Sequence, residues 1–126
     1  ASLSLRVSTP PAESKECAAA KRYIDENYSR TITLDSLAEI AHVNKYYLSH
    51  SFKREYGTSP IDYLMKRRIT EAKALLTSTD FSLTQIAEQI GFRSLAYFSK
   101  CFRKVEDISP NEYRKTAARK APPGNL

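Results

Sequence analysis

Asn44-Lys45-Tyr46-Tyr47-Leu48-Ser49-His50-Ser51-Phe52-Lys53-Arg54 is the stretch that decides how the rest of the chain is read. Wound as a helix at about 100° per residue, it sorts into two arcs. Tyr47, Leu48, Ser51 and Phe52 fall on one arc, suited to a core. Lys45, Tyr46, Ser49, His50 and Lys53 fall on the other, and the segment holds no acid. Cations, hydroxyls and an aromatic ring on one arc are what a helix needs to lie in a DNA groove. Taken alone, the segment reads first as an ordinary amphipathic surface helix. What changes the reading is that it occurs twice.

Leu34, Leu37, Ala38 and Glu39 recur as Leu83, Ile86, Ala87 and Glu88, at an offset of 49. One residue is then gained, and Leu48, Phe52, Lys53 and Arg54 recur as Phe98, Phe102, Arg103 and Lys104, at an offset of 50. Ser59, Pro60 and Tyr63 recur as Ser109, Pro110 and Tyr113. Each copy is a short helix, a tight turn and a longer basic helix, the helix-turn-helix pattern. Ala38 and Ala87 leave room for the next helix to cross. Four residues on, the turn needs a residue that tolerates positive φ. The second copy has Gly91 there. The first has His42, a less usual choice although histidine is mildly enriched in that region.

Caps divide the remainder. Ser14 predicts a first helix to about Tyr28, with Ala20, Ile24 and Tyr28 on one face. Thr33 caps a second, Leu34–Ala41, and Asn44 caps a third that ends at Gly57. Ser59-Pro60 opens a fourth, to about Thr77. Ser82 and Gln85 form a capping box for a fifth, Leu83–Ile90. A sixth spans about Leu95–Val105, and Ser109-Pro110 with Glu112 opens a seventh, to about Ala118. No segment alternates with period two. The expectation is an all-α fold of about seven helices: two helix-turn-helix subdomains, 14–58 and 78–118, joined by a long linker helix at 59–77. Serines and prolines in residues 1–13 suggest a flexible linker from an upstream domain. Residues 119–126, with Pro122, Pro123 and Gly124, suggest a frayed tail. Leu37, Ile40, Leu48 and Phe52 should pack the first subdomain; Ile86, Ile90, Phe98 and Phe102 the second. Tyr63, Leu64, Ile69, Leu75 and Leu76 should link them. Cys101, matching Ser51, should be a small buried residue.

The net charge of +6 is unevenly placed. Asn44–Arg54 carries Lys45, Lys53 and Arg54, and Arg93–Lys104 carries Arg93, Lys100, Arg103 and Lys104; neither segment has an acid. Apart from a basic tail (Arg114, Lys115, Arg119, Lys120), the rest mixes both signs and is net acidic, with nine cations against fourteen acids. Two one-signed helices in an otherwise mixed surface favour a polyanionic partner. No run is long enough to cross a membrane, so no membrane partner is expected. Cys17 and Cys101 are far apart and form no CxxC, which argues against a disulfide scaffold or zinc site and suits a reducing cytoplasm. Neither a cofactor nor a metal is expected.

Several motifs together are similar to the AraC/XylS family of bacterial transcription regulators. They are Tyr47-Leu48-x-x-x-Phe52-Lys53, Gly57-x-Ser59-Pro60, Arg68 with Ala72 and Leu75-Leu76, Ile86-Ala87-x-x-x-Gly91-Phe92, Tyr97-Phe98-x-x-x-Phe102-Arg103 and Ser109-Pro110-x-x-Tyr113-Arg114. The resemblance covers about Cys17–Arg114. It implies a DNA-binding domain with two helix-turn-helix units on a long helix, at the output end of a longer regulator. A small-molecule sensor or a phosphoacceptor receiver would lie upstream, and RNA polymerase would be a partner. It also implies that Arg68 braces the linker helix, by pairing with an acid.

The expected ligand is double-stranded DNA, with the third and sixth helices in successive major-groove segments about 34 Å apart. Lys45, Tyr46, Ser49 and His50 are the candidates for base edges in the first reader; Leu95, Ala96, Ser99 and Lys100 in the second. Leu95 and Ala96 suit thymine methyls, and Lys100 can donate to guanine O6 or N7. Lys45, with Lys53, also lies near phosphates. Thr33, Lys53, Arg54, Thr84, Arg93, Arg103 and Lys104 are the phosphate candidates, with Arg67 or Lys66 as further cations. A catalytic role lacks paired carboxylates, an activated nucleophile, a metal cluster and a phosphate loop, so no enzyme is expected. The alternative is a helical protein-interaction module that binds no DNA.

Overall fold

In the computed structural model, residues 14–120 are described, and they contain seven helices and no strand. The helices are α1 (Lys15–Asn27), α2 (Leu34–Ala41), α3 (Lys45–Tyr56), α4 (Pro60–Ser78), α5 (Leu83–Gln89), α6 (Leu95–Glu106) and α7 (Pro110–Lys120). The all-α expectation is borne out. The last helix runs two residues past its expected end at Ala118. The expected linker at 1–13 and the tail at 121–126 lie outside the described residues.

Local chemistry sets the boundaries. Ser14, Asn44 and Ser59 each accept the backbone N–H three residues on: Cys17 at 3.0 Å, Tyr47 at 2.8 Å and Asp62 at 3.2 Å. Reciprocal capping boxes start α2 (Thr33 with Ser36) and α5 (Ser82 with Gln85). Ser109 and Glu112 exchange the same pair of bonds at α7. Ser94 caps α6 through the Tyr97 N–H at 3.1 Å, a cap the sequence reading passed over. Each such cap contributes about 1 kcal/mol. Both helix-turn-helix turns close with the same bond, reaching five residues back: Val43 N–H to Ala38 O at 3.0 Å, and Phe92 N–H to Ala87 O at 2.9 Å. His42 takes the left-handed conformation, φ 60°, as its place in the turn requires.

The core is two clusters. Cys17, Ala20 and Ile24 of α1 pack with Leu37, Leu48, Phe52 and Leu64. Ile69, Ala72 and Leu76 pack with Ile86, Phe98 and Phe102. Both clusters draw on α4, the first on its opening turns and the second on its closing turns. Cys17, Ala20 and Ile24 share one spacing with Ile69, Ala72 and Leu76, at an offset of 52, and all six are buried. The closing half of α4 therefore does for the second unit what α1 does for the first. The opening half in turn corresponds to α7: Tyr63 meets Phe52 edge-on at 5.8 Å, and Tyr113 meets Phe102 edge-on at 5.6 Å. Edge-to-face aromatic pairs of this kind add about 0.5–1.5 kcal/mol beyond area burial.

Four placements differ from expectation. Ile40 is half-buried and outside both clusters, since the short α2 turns Leu37, Ala38 and Ala41 to the core instead. Cys101 is only half-buried, since the Tyr97 side chain beside it is itself 49% exposed and covers it only in part. Tyr47, assigned to the core arc, is 46% exposed. It lies by Glu16 and Val43, where α1 begins, and that shallow groove covers only part of its ring. Among the described residues, Arg68 pairs with no acid. It is 6% exposed and donates to backbone carbonyls, from Nε to Tyr28 O at 2.6 Å and from Nη2 to Arg30 O at 2.8 Å. Arg114, counted with the basic tail, does the same for the second unit, from Nε to Leu76 O at 3.0 Å and from Nη2 to Thr79 O at 3.3 Å.

Candidate nucleic-acid interface

The interface is built from the two basic helices and the loops that lead into them. On α3, Leu48, Ser51 and Phe52 are buried, which turns the opposite arc outward. Tyr46 is 72% exposed, the most open of the large apolar side chains among the described residues. His50, Lys53 and Arg54 are exposed, and Lys45 and Ser49 are half-buried. Lys45 Nζ sits 5.7 Å from the centroid of the Tyr46 ring and 3.5 Å from Asp35 Oδ1. The start of α3 thus holds an aromatic face backed by a cation. Lys53 and Arg54 occupy the last turn, where cations complement the helix dipole.

On α6, Phe98 and Phe102 are buried. Leu95 is 39% exposed, Ala96 and Lys100 are exposed, and Ser99 is half-buried. These four positions match Lys45, Tyr46, Ser49 and His50 in helical register, so each reader presents a comparable arc. Their chemistry differs. The first arc is polar and aromatic; the second opens with two apolar side chains and closes on a cation. Arg103 and Lys104 lie exposed at the end of α6, with Arg103 Nη2 3.6 Å from Glu112. That exposed pair is weak and would yield readily to a phosphate.

The phosphate candidates fall into two groups. Arg93 and Thr33 come from different units, yet both line one cleft of about 400 Å³, with Thr31, Arg68, Gly91 and Tyr97. The Thr33 hydroxyl already accepts from the Ser36 N–H at 3.0 Å, so only backbone N–H groups at the start of α2 remain for an anion. Asp35 stands in that first turn and repels one, with Lys45 offsetting it. The start of α5 carries no acid in its first turn, and Thr84 there is exposed. Of the two helix starts, α5 offers an anion the better field.

Arg67, considered as a further cation, is otherwise engaged. It sits 3.7 Å from Asp25 and 3.2 Å from Glu71, over the Tyr28 ring at 4.4 Å. Those contacts neutralise it against α1. Lys66 remains exposed. The Tyr97 phenol is held above its usual pKa, first by hydrogen bonding to the Cys101 thiol. Among the described residues, no three His, Cys, Asp or Glu side chains gather as a metal centre needs. No described helix is long and apolar enough to cross a membrane. Sequence reasoning missed the role of the α1–α2 loop, since Tyr28 and Arg30 act through carbonyls, which every residue carries.

Comparison with known proteins agrees with this geometry. A family model described as a helix-turn-helix domain matches residues 37–116. The chain is 39% identical over 111 residues to the HTH-type transcriptional regulator YisR of Bacillus subtilis, covering 88% of this chain and 39% of that protein. It spans well under half the length of the curated relatives it matches. Its fold is similar to the C-terminal domain of AraT, a response regulator from Geobacillus stearothermophilus, with a TM-score of 0.80 at 39% identity, over 84% of this chain and 88% of that one. It is also similar to the DNA-binding domain of AdpA, a global transcriptional factor solved in complex with a target DNA, with a TM-score of 0.81 at 26% identity, over 88% and 100% of the two chains.

Proposed function

This chain belongs to the AraC-type helix-turn-helix family of transcription regulators, and from that premise we propose that it binds duplex DNA by laying α3 and α6 in successive major-groove segments. DNA binding as part of a transcription regulator is the function of the domain. The observation that carries the finer reading is the repeat: two helices in equivalent settings turn acid-free, cation-bearing arcs outward from a shared α4. AdpA's similar domain was solved on its target DNA, which supports the same mode here.

In this mode Lys45, Tyr46, Ser49 and His50 read bases from α3, and Leu95, Ala96, Ser99 and Lys100 read them from α6. Thr33, Lys53, Arg54, Thr84, Arg93, Arg103 and Lys104 take phosphates, which set register and supply much of the affinity. Residues 14–58 and 78–118 act as the two reading subdomains and 59–77 as the connecting helix. The chain itself catalyses nothing. It works in the cytoplasm as the output end of a longer protein, under a small-molecule sensor or a receiver domain, and passes its signal to RNA polymerase. AraT's description as a response regulator favours the receiver.

Selection of binding sites from random duplexes tests the reading directly. The expected result is two conserved half-sites one helical turn apart, with affinity falling steeply as salt rises. Absence of binding to any duplex at low salt would sink it in favour of a helical protein-interaction module.

A further inference from the structure

Of the two described glycines, Gly91 is the one whose missing side chain is required by a neighbour. A Cβ there would lie 2.9 Å from Ser29 O, 3.0 Å from Ser29 Cα and 3.0 Å from Arg68 Nη2. Its φ of 102° disfavours any L side chain as well. Ser29 stands in the loop between α1 and α2 of the first unit; Gly91 stands in the turn that leads into α6 of the second. The two units therefore touch directly, backbone to backbone, off the axis of α4 and beside the side chain of its Arg68. Arg68 holds both sides of the contact. It bonds the carbonyls of Tyr28 and Arg30, which flank Ser29, and its guanidinium lies 5.5 Å from the ring centroid of Phe92, which follows Gly91.

A single helix joining two cores leaves them free to twist about its axis and to bend with it. A second contact off that axis removes those freedoms. We propose that the Ser29–Gly91 contact, clasped by Arg68, fixes the separation and rotation of α3 relative to α6 and so sets the half-site spacing that the protein accepts. Arg68 and Gly91 are then positioning residues: they determine specificity without touching DNA. The inference rests on the two-reader mode proposed above. One added base pair moves a half-site by about 3.4 Å along the duplex. It also turns that half-site by about 35°, given about 10–10.5 base pairs per turn. A clasped pair of readers cannot follow that change; a loosened pair can.

The test is a series of duplexes carrying both selected half-sites at the preferred spacing and one base pair shorter or longer, with single half-site duplexes alongside. The parent chain is expected to favour the preferred spacing about tenfold or more. Gly91→Ala and Arg68→Met are expected to bring that preference to about threefold or less, with affinity for single half-sites kept within about twofold. Arg68→Lys, which retains a donor, should restore part of it and serves as the deciding variant if the other two do not fold by circular dichroism. Binding with an unchanged spacing preference in folded variants overturns the clasp alone. Failure of the parent to bind any duplex overturns the two-reader mode and the clasp with it.

Discussion

Arg68 donates from Nε to the Tyr28 carbonyl oxygen at 2.6 Å, joining the middle of α4 to the end of α1 across 40 positions of sequence. The guanidinium is almost wholly out of water, and that burial pulls its pKa below the usual arginine value. Removing it leaves the carbonyls of Tyr28 and Arg30 without a donor. Arg68→Met is expected to cost about 2–4 kcal/mol of unfolding free energy in urea titrations, the range for breaking a buried network. Arg114→Met, whose side chain is only half-buried, should cost about 1–2 kcal/mol. Equal, negligible losses would show that water replaces both.

Among the described residues, two positions of left-handed backbone are held by residues other than glycine: His42 at φ 60° and Asp107 at φ 69°. Asp107 corresponds to Gly57, φ 76°, at the end of α3. His42→Gly and Asp107→Gly should each raise stability by up to about 1 kcal/mol, by relieving the left-handed penalty. Gly57→Ala should lower it by about 1 kcal/mol through backbone strain alone, since its Cβ would meet nothing within 4 Å. Thermal melts of the three variants check the signs.

Exposed cations and base-reading side chains should separate by their dependence on sequence and salt. Lys53→Ala and Arg54→Ala should weaken binding to all duplexes alike and reduce the salt slope by about 1 each. His50→Ala and Lys100→Ala should cost about 1–3 kcal/mol on the selected site and relax preference at single positions. Leu95→Asp should abolish discrimination for thymine at its position. Unchanged site affinity in Leu95→Asp would remove that residue from the interface.

Acid should release one local tie. Glu55 of α3 accepts the Ser14 backbone N–H at 2.7 Å, and that bond holds its carboxyl below the usual glutamate pKa. The folded value lies below the unfolded one. The stabilisation is therefore present above the ordinary carboxylate range and is lost as pH falls through the folded value. Glu55→Gln should lower the melting temperature by about 2 °C at pH 7, with the gap closing as the pH falls below the ordinary glutamate range and through the folded value. A gap that persisted in acid would contradict the assignment.

The helices and their order were legible because caps, glycines and core spacing are local signals. Thr33, Asn44, Ser59 and Ser82 each announce a helix start within four residues. What was not legible depends on tertiary contact. The partners of Arg68 are carbonyls, which carry no sequence mark. The exposure of Tyr47 depends on where α1 begins. The kinship of Cys17, Ala20 and Ile24 with Ile69, Ala72 and Leu76 is hidden by its offset of 52, because the connections that follow α1 and α4 differ in length. The outward arcs of α3 and α6 were readable from charge, but the cleft that joins Thr33 to Arg93 was not, since those residues stand 60 positions apart.

The double use of α4 has a consequence for how such a protein can change over time. A solenoid lengthens by adding copies, because every repeat offers the next one the same surface. Here the surface on offer is the stripe Ile69, Ala72 and Leu76. That stripe is already packed against Ile86, Phe98 and Phe102, so α4 is occupied along its length, and new specificity can come from changing what the two outward arcs carry while both cores stay as they are.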